Sequence, residues 1–214
     1  METVIHELPV LMQGVAVTLQ ISILVIIAGS LIGMFGGLGL LYGPVWLRML
    51  LRGYVDLIRG LPLLVTIFMI FYVPPSLDID IDGFAAVVIA LSVFAGAHIS
   101  EIVRGAVASI PRGQTDAARA LGLTFWPRVW YVMLPQALPA IIPPWTNTAI
   151  EMVKGSSLAY LVSVSELLFQ TYKVVSRTGA AMEFYITAAI LYFMINFVLA
   201  RIGNWLERRT QFAS

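Results

Sequence analysis

The chain has 214 residues, of which 59% are hydrophobic and 12% charged, with a net charge of +1 and a mean hydropathy of +0.89. Because a soluble domain carries about 25% charged residues, this composition excludes a soluble globular protein and predicts an integral membrane protein. The chain has no cysteine and only two widely separated histidines, which excludes disulfides and a cysteine nucleophile and gives no pattern typical of a metal site.

The apolar residues are gathered into five segments, each long enough for a helix of the roughly 20 residues that cross a bilayer. Charged and turn-forming residues separate these segments. We therefore predict an all-α membrane protein with one transmembrane domain over residues 1–214 and a helix–loop–helix between the third and fourth spans. The predicted spans cover about 10–41, 50–74, 83–108, 134–154 and 183–205, and the loop covers about 109–133.

The first predicted span carries a run of evenly spaced glycines. Gly29, Gly33 and Gly37 recur every fourth residue, which places them on one smooth face of a helix. Such a face lets a second helix approach closely, either within the chain or across a dimer. We favour packing within the chain.

The segment between the third and fourth spans is polar, basic and rich in turn residues. Pro111 suits the first turn of a short helix, where its missing N–H has no consequence. Gly122 can end that helix in the left-handed conformation that a side chain resists, and Thr124 can then cap a second short helix. The small residues Ala117 and Ala118 would let another surface approach the backbone. The alternative is an ordinary connector between two spans.

The fourth predicted span contains four prolines, which remove backbone donors and clash with the preceding turn. A straight helix is therefore not expected here, and we predict a kinked or partly unwound span. The four are Pro135, Pro139, Pro143 and Pro144.

The basic residues are distributed unevenly across the predicted membrane. With five spans, ten of the thirteen share one side, which the positive-inside rule assigns to the cytoplasm. The amino terminus and the acidic loop at Asp78, Asp80 and Asp82 then lie outside, and the carboxyl terminus lies in the cytoplasm. The ten are Arg48, Arg52, Arg59, Arg104, Arg112, Arg119, Arg128, Arg201, Arg208 and Arg209.

The cytoplasmic loop has the spacing of a known sequence motif. Asp116, Ala117 and Ala118 are followed after three residues by Gly122, and after nine more by Val132 to Pro135. This resembles the EAA loop of ATP-binding-cassette importer permeases, which reads E-A-A, three residues, G, nine residues, I-x-L-P. Aspartate replaces the glutamate and valine the isoleucine.

Three further stretches resemble the polar amino-acid branch of these permeases, the histidine, glutamine and arginine type. Residues 54–63 are similar to Y-x-E-x-x-R-G-x-P-L, with Asp56 in place of glutamate. Residues 100–105 are similar to A-E-I-x-R-G, and residues 147–158 to N-x-x-I-x-x-x-K-x-T-S-L, with Ser156 where threonine is usual. The resemblance runs from about Gln13 to the carboxyl end.

The resemblance implies a permease subunit of an importer for polar or charged amino acids or related small solutes, in the bacterial cytoplasmic membrane. It implies a second permease, identical or similar, a dimer of cytoplasmic ATPase subunits that bind ATP and Mg, and a periplasmic or tethered binding protein. Transport would proceed by alternating access. This chain itself has no G-x-x-x-x-G-K-S/T phosphate loop, so we expect it to be no enzyme and to hold no cofactor or metal, with no nucleic-acid partner.

The motif assigns contact with the ATPase to the loop and to the residues that end it. The residues expected to couple the two subunits are Asp116, Ala117, Ala118, Gly122, Leu134 and Pro135.

Asn147, Glu151 and Lys154 are the candidate substrate residues, because their spacing of four and three places them on one helix face within the fourth span. Charges at membrane depth usually face a cavity or a partner. Opposite charges suit the ammonium and carboxylate of an amino acid, with Asn147 and Ser157 supplying hydrogen bonds. The alternative is a structural Glu151–Lys154 pair.

Glu101 and Arg104 lie three residues apart near the end of the third span, where they can pair with each other. We interpret them as a structural or gate-locking pair rather than as substrate contacts.

Two other kinds of protein remain open at this point. A gradient-driven secondary transporter or channel would suit the broken fourth span and its charges, but it would have no need of the EAA-like loop. An intramembrane enzyme would need a nucleophile, and Gly155–Ala159 lacks the final glycine of G-x-S-x-G. The sequence does not name the transported solute.

Overall fold

The computed structural model describes residues 2–211, which are helical throughout with short connections and without a strand in that range. This confirms the all-α class. The α-helices are α1 Glu2–Tyr42, α2 Val45–Gly60, α3 Leu63–Tyr72, α4 Gly83–Ala108, α5 Arg112–Ala120, α6 Phe125–Arg128, α7 Leu134–Gly155, α8 Leu167–Thr178 and α9 Ala181–Gln211. Two 3₁₀ helices, Pro74–Leu77 and Ser156–Val162, and a π-helical turn, Val129–Met133, join them.

Three of these helices, α1, α4 and α9, are each long and apolar enough to cross a membrane. Two bent pairs could each form one more span: α2 with α3, and the α6–α7 run with α8. The described residues thus contain three to five candidate spans, and the five predicted from the sequence correspond to the upper number.

The second predicted span, 50–74, is not one continuous helix. The chain bends by 108° between α2 and α3. Leu61 at the break is extended, with φ −95° and ψ 141°, because the ring of Pro62 disfavours a helical conformation in the residue before it. Pro62 then opens α3 with φ −61°. The predicted span thus contains the end of an amphipathic helix followed by a short apolar one.

The glycine face of α1 packs against α4. A Cβ atom added at Gly33 would lie 2.3 Å from Cγ2 of Ile99, and one at Gly37 would lie 2.7 Å from the carbonyl oxygen of Ser100. Only glycine permits so close an approach of the two backbones. The prediction that these glycines serve packing within the chain is confirmed.

Replacing Gly33 by alanine should lower the free energy of unfolding by about 1–3 kcal/mol, because the added methyl group overpacks the α1–α4 seam. A fall in the thermal unfolding midpoint of the purified protein in detergent would show this. Gly53→Ala is the matched control, since a Cβ at Gly53 in α2 has no atom within 4 Å. Equal midpoints for the two variants would contradict the packing described here.

The fourth predicted span is a continuous helix, which corrects the expectation of an unwound segment. α7 runs unbroken from Leu134 to Gly155 with Pro139, Pro143 and Pro144 inside it. The φ of proline is fixed near −65°, which suits a helix even though the N–H donor is lost. The irregular turns lie at the two ends instead, as the π turn before α7 and the 3₁₀ helix after it.

A second core joins α1, α8 and α9. Leu11, Leu167 and Phe184 are among its fully buried side chains. At its edge the buried carboxylate of Glu166 caps α8, accepting hydrogen bonds from the N–H of Leu168 at 2.9 Å and of Phe169 at 2.7 Å. The Tyr192 hydroxyl of α9 donates a third hydrogen bond, at 2.6 Å, to the same carboxylate. One side chain thus fixes the start of α8 to α9.

Candidate functional sites

α7 carries a polar stripe on a helix that is otherwise mostly buried. The opposite faces pack into the core through Ala137, Ile141, Ala149, Met152 and Val153. Asn147, Glu151 and Lys154 are all exposed on the remaining face. The structure therefore brings the three predicted substrate residues together on one open surface.

Glu151 and Lys154 do not pair with each other. In the part of the chain that the structure describes, neither charge has an ion pair within 4.0 Å or a hydrogen bond. The alternative of a structural pair that holds this helix together therefore has no support from the geometry. A charge at membrane depth is expensive without a partner, so this face calls for partners outside the chain or for water.

Ser157 lies one turn beyond Lys154, in the 3₁₀ helix, and is half-buried. Its hydroxyl donates to the carbonyl oxygen of Lys154 at 2.7 Å. Because its only proton is used there, Ser157 can offer a ligand only an acceptor oxygen. The neighbouring Ser156 is buried, and its hydroxyl donates to the carbonyl oxygen of Val153 at 2.8 Å. It is therefore not accessible to a ligand.

Glu101 and Arg104 form the pair that the spacing predicted. Arg104 donates from Nε at 3.0 Å and from Nη2 at 2.8 Å to Oε2 of Glu101. Sequence reasoning missed a third member: Nη1 of Arg52 donates to Oε1 of Glu101 at 2.7 Å. The sequence did contain a signal for this contact: Arg48, Arg52 and Asp56 follow at intervals of four and form a polar face on α2. The cluster ties α2 to α4.

The helix that contains the EAA-like residues ends just before Gly122, which has the predicted left-handed conformation. α5 is followed by Leu121 and then Gly122 with φ +75°. The N–H of Leu123 donates to the Ala118 carbonyl at 3.1 Å, and that of Gly122 to the Arg119 carbonyl at 2.9 Å. These two bonds form a Schellman motif.

Thr124 occupies the capping position of α6, but its side chain makes no capping hydrogen bond. Its carbonyl oxygen accepts from the N–H of Arg128 at 3.1 Å instead. The predicted side-chain cap is therefore wrong, and α6 begins through backbone geometry.

Some of the coupling residues predicted from the sequence are exposed in the structure and others are buried. Asp116, Ala117, Gly122 and Pro135 are exposed. Ala118 is only 3% exposed and Leu134 only 5%, since α5 packs against the π turn that leads into α7. Both are thus buried within the chain, and their coupling to an ATPase stays a prediction. Leu121, which follows the last residue of α5, is 81% exposed.

Comparison with known proteins places this chain in a family. Residues 26–212 match the family described as binding-protein-dependent transport system inner membrane component. The chain is 37% identical over 202 residues to the L-cystine transport system permease protein TcyB of Bacillus subtilis (strain 168), covering 94% of this chain and 86% of that one. It is 36% identical over 204 residues to the glutamine transport system permease protein GlnP of Escherichia coli (strain K12), covering 94% and 93%.

Solved structures agree with the sequence matches. A chain in a crystal structure of an amino acid ABC transporter with histidines superposes with a TM-score of 0.86 at 30% identity, covering 96% of both chains. The inward-facing MetNI methionine ABC transporter gives a TM-score of 0.80 at 25% identity, covering 94% of this chain and 96% of that one.

Proposed function

Since this chain belongs to the family of binding-protein-dependent transport system inner membrane components, we propose that it is the permease through which an ATP-driven importer moves polar or charged amino acids. ATP is hydrolysed by a partner ATPase and not by this chain. The gradient-driven carrier or channel considered from the sequence is not favoured, because the relatives and structural neighbours are ABC transporter components.

The observation that carries the proposal is the exposed stripe of α7. Two unpaired opposite charges lie about one helical turn apart, with an amide on the same face. In this proposal Glu151 meets the ammonium group of the amino acid and Lys154 meets its carboxylate, while Asn147 donates or accepts and Ser157 accepts. A zwitterionic amino acid matches these side chains, because each of its two charges meets one opposite charge.

The other partners follow from the proposed orientation of the chain in the membrane and from the exposure of the coupling residues. The amino terminus lies outside and the carboxyl terminus in the cytoplasm of a bacterial cell. A binding protein delivers the solute, a second permease completes the pathway, and an ATPase dimer holding ATP and Mg docks at Asp116, Ala117 and Gly122. ATP can drive alternating access only by stabilising one conformation of the spans over the other.

The Arg52–Glu101–Arg104 cluster acts in this scheme as a lock on the cytoplasmic half. It joins α2, which precedes the 108° bend, to the long helix α4. Any movement of α2 away from α4 must break the Arg52–Glu101 bond, so the cluster favours the conformation seen here.

Glu151→Gln and Lys154→Met should each reduce uptake of a zwitterionic amino acid at least tenfold, because each removes a charged hydrogen bond worth about 1.5–3 kcal/mol. Uptake into proteoliposomes containing ATP, the ATPase and the binding protein measures this. Assembly of the complex should be normal.

Glu183→Gln and Lys173→Met are the matched controls, since both residues are exposed and lie outside the stripe. Lost assembly, with unchanged preference among amino acids in the protein that remains, would assign Glu151 and Lys154 a structural role instead.

A further inference from the structure

A basic cavity of about 380 Å³ lies where α1 and α4 end and α5 begins. Its apolar wall comes from the last turns of α1 and α4 and from Met133, and its polar wall from α5. Arg112, Asp116 and Arg119 are the charged residues that line it, and Tyr42 lines it at the end of α1.

An apolar groove of about 250 Å³ shares one lining residue, Tyr42, with this cavity. The groove runs between the last turns of α1 and the start of α6, lined by Phe35, Leu38, Phe125 and Trp126 among others. Its side chains carry no charge. A ligand that filled both spaces would need a polar group at one end and a hydrocarbon chain at the other.

Arg128 lies near Tyr42 and Phe125, and Tyr42 is the residue that lines both spaces. Its guanidinium is 5.8 Å from the centre of the Phe125 ring and within electrostatic range of the Tyr42 hydroxyl. The residue is only 9% exposed, and its Nε is buried without a hydrogen-bond partner. Among residues 2–211 it has no ion pair within 4.0 Å. A buried charge in this state is costly unless an acceptor outside the chain meets it.

The charges around the cavity leave a positive excess. The guanidinium groups of Arg112 and Arg119 line the cavity with one carboxylate, that of Asp116, and a third guanidinium, that of Arg128, lies within electrostatic range of the Tyr42 hydroxyl. Asp116 lies 3.5 Å from Arg119 and is exposed, so it leaves Arg112 and Arg128 uncompensated. The site is therefore suited to an anion.

We propose that the cavity and the groove together bind one anionic phospholipid, with its phosphate at Arg112, Arg119 and Arg128 and an acyl chain along Phe35 and Trp126. A free anion would use the cavity but leave the groove empty. Two candidate spans end here, which is the level where headgroups lie, and basic clusters beside a span attract anionic lipid. The proposal rests on the proposed function in one respect only: the orientation proposed there makes the cytoplasmic leaflet the source of the lipid.

The test uses the full chain in nanodiscs of phosphatidylcholine, titrated with phosphatidylglycerol, with thermal unfolding and native mass spectrometry as readouts. Neither readout requires transport, so failure here would leave the proposed function untouched. We expect phosphatidylglycerol to raise the unfolding midpoint of the unchanged chain and of the control Arg208→Gln. Arg112→Gln and Arg119→Gln should each weaken its binding about fivefold.

Arg128→Gln separates a ligand role from a structural one. In pure phosphatidylcholine this variant should be at least as stable as the unchanged chain, because it removes an unpaired buried charge, yet phosphatidylglycerol should no longer stabilise it. Undiminished stabilisation of all three variants by phosphatidylglycerol would overturn the proposal. Equal stabilisation of the unchanged chain by inorganic phosphate alone would also overturn it, in favour of a free-anion site.

Discussion

Gly122→Val should reduce ATP-driven uptake at least tenfold while the binding protein keeps its affinity for the solute. Gly122 has φ +75°, a conformation in which an L-residue costs about 1–2 kcal/mol and a β-branched one more. The Schellman motif that ends α5 would open, and the exposed surface proposed to meet the ATPase would change shape. Uptake by reconstituted transporter and co-purification of the ATPase measure the two consequences.

Two further variants isolate the cause of that loss. Gly122→Asn should retain most of the uptake, because asparagine tolerates the left-handed conformation. Gly113→Ala, at a glycine inside α5 with no atom within 4 Å of an added Cβ, should be nearly neutral. If Gly122→Val transported as well as Gly113→Ala, the loop would be a passive connector.

Glu166→Ala should destabilise the fold by about 3–5 kcal/mol. The carboxylate is fully buried and accepts three hydrogen bonds, so its removal leaves two N–H groups and one hydroxyl without an acceptor. The amount of protein in the membrane and its thermal unfolding midpoint in detergent would both fall.

Tyr192→Phe removes one of these three bonds and should cost about 1–3 kcal/mol. Tyr185→Phe is its control, since Tyr185 is exposed on the same helix. An unfolding midpoint for Glu166→Ala equal to that of the unchanged chain would mean that water replaces the lost acceptor, and the capping role would be wrong.

Features that depend on short-range spacing could be predicted from the sequence. The Glu101–Arg104 pair lies within one turn of one helix, and the glycine stop at Gly122 needs only its own backbone conformation. The α1 glycines were also predictable, because a smooth face has few uses other than close packing.

Features that depend on tertiary packing could not be predicted from the sequence. Arg52 reaches Glu101 across 49 positions of sequence. Ala118 was assigned to coupling from the motif, and its burial against the π turn depends on packing that the sequence does not show. Glu166 drew no functional prediction, because its link to α9 depends on Tyr192, which lies 26 positions farther along the chain. The unpaired state of Glu151 and Lys154 also had to be seen in the structure, since their spacing permitted a pair.

The glycine seam between α1 and α4 also restricts how the first helix can change in length. An α-helix turns about 100° per residue, since 3.6 residues complete a turn. One residue inserted between Gly29 and Gly33 would rotate Gly29 away from α4 and bring a side chain into a space that holds none. The seam should therefore tolerate an insertion or deletion there only when its length is close to a whole number of helical turns. The exposed side of α1, which carries Ile27 and Leu31, stays free to vary by substitution.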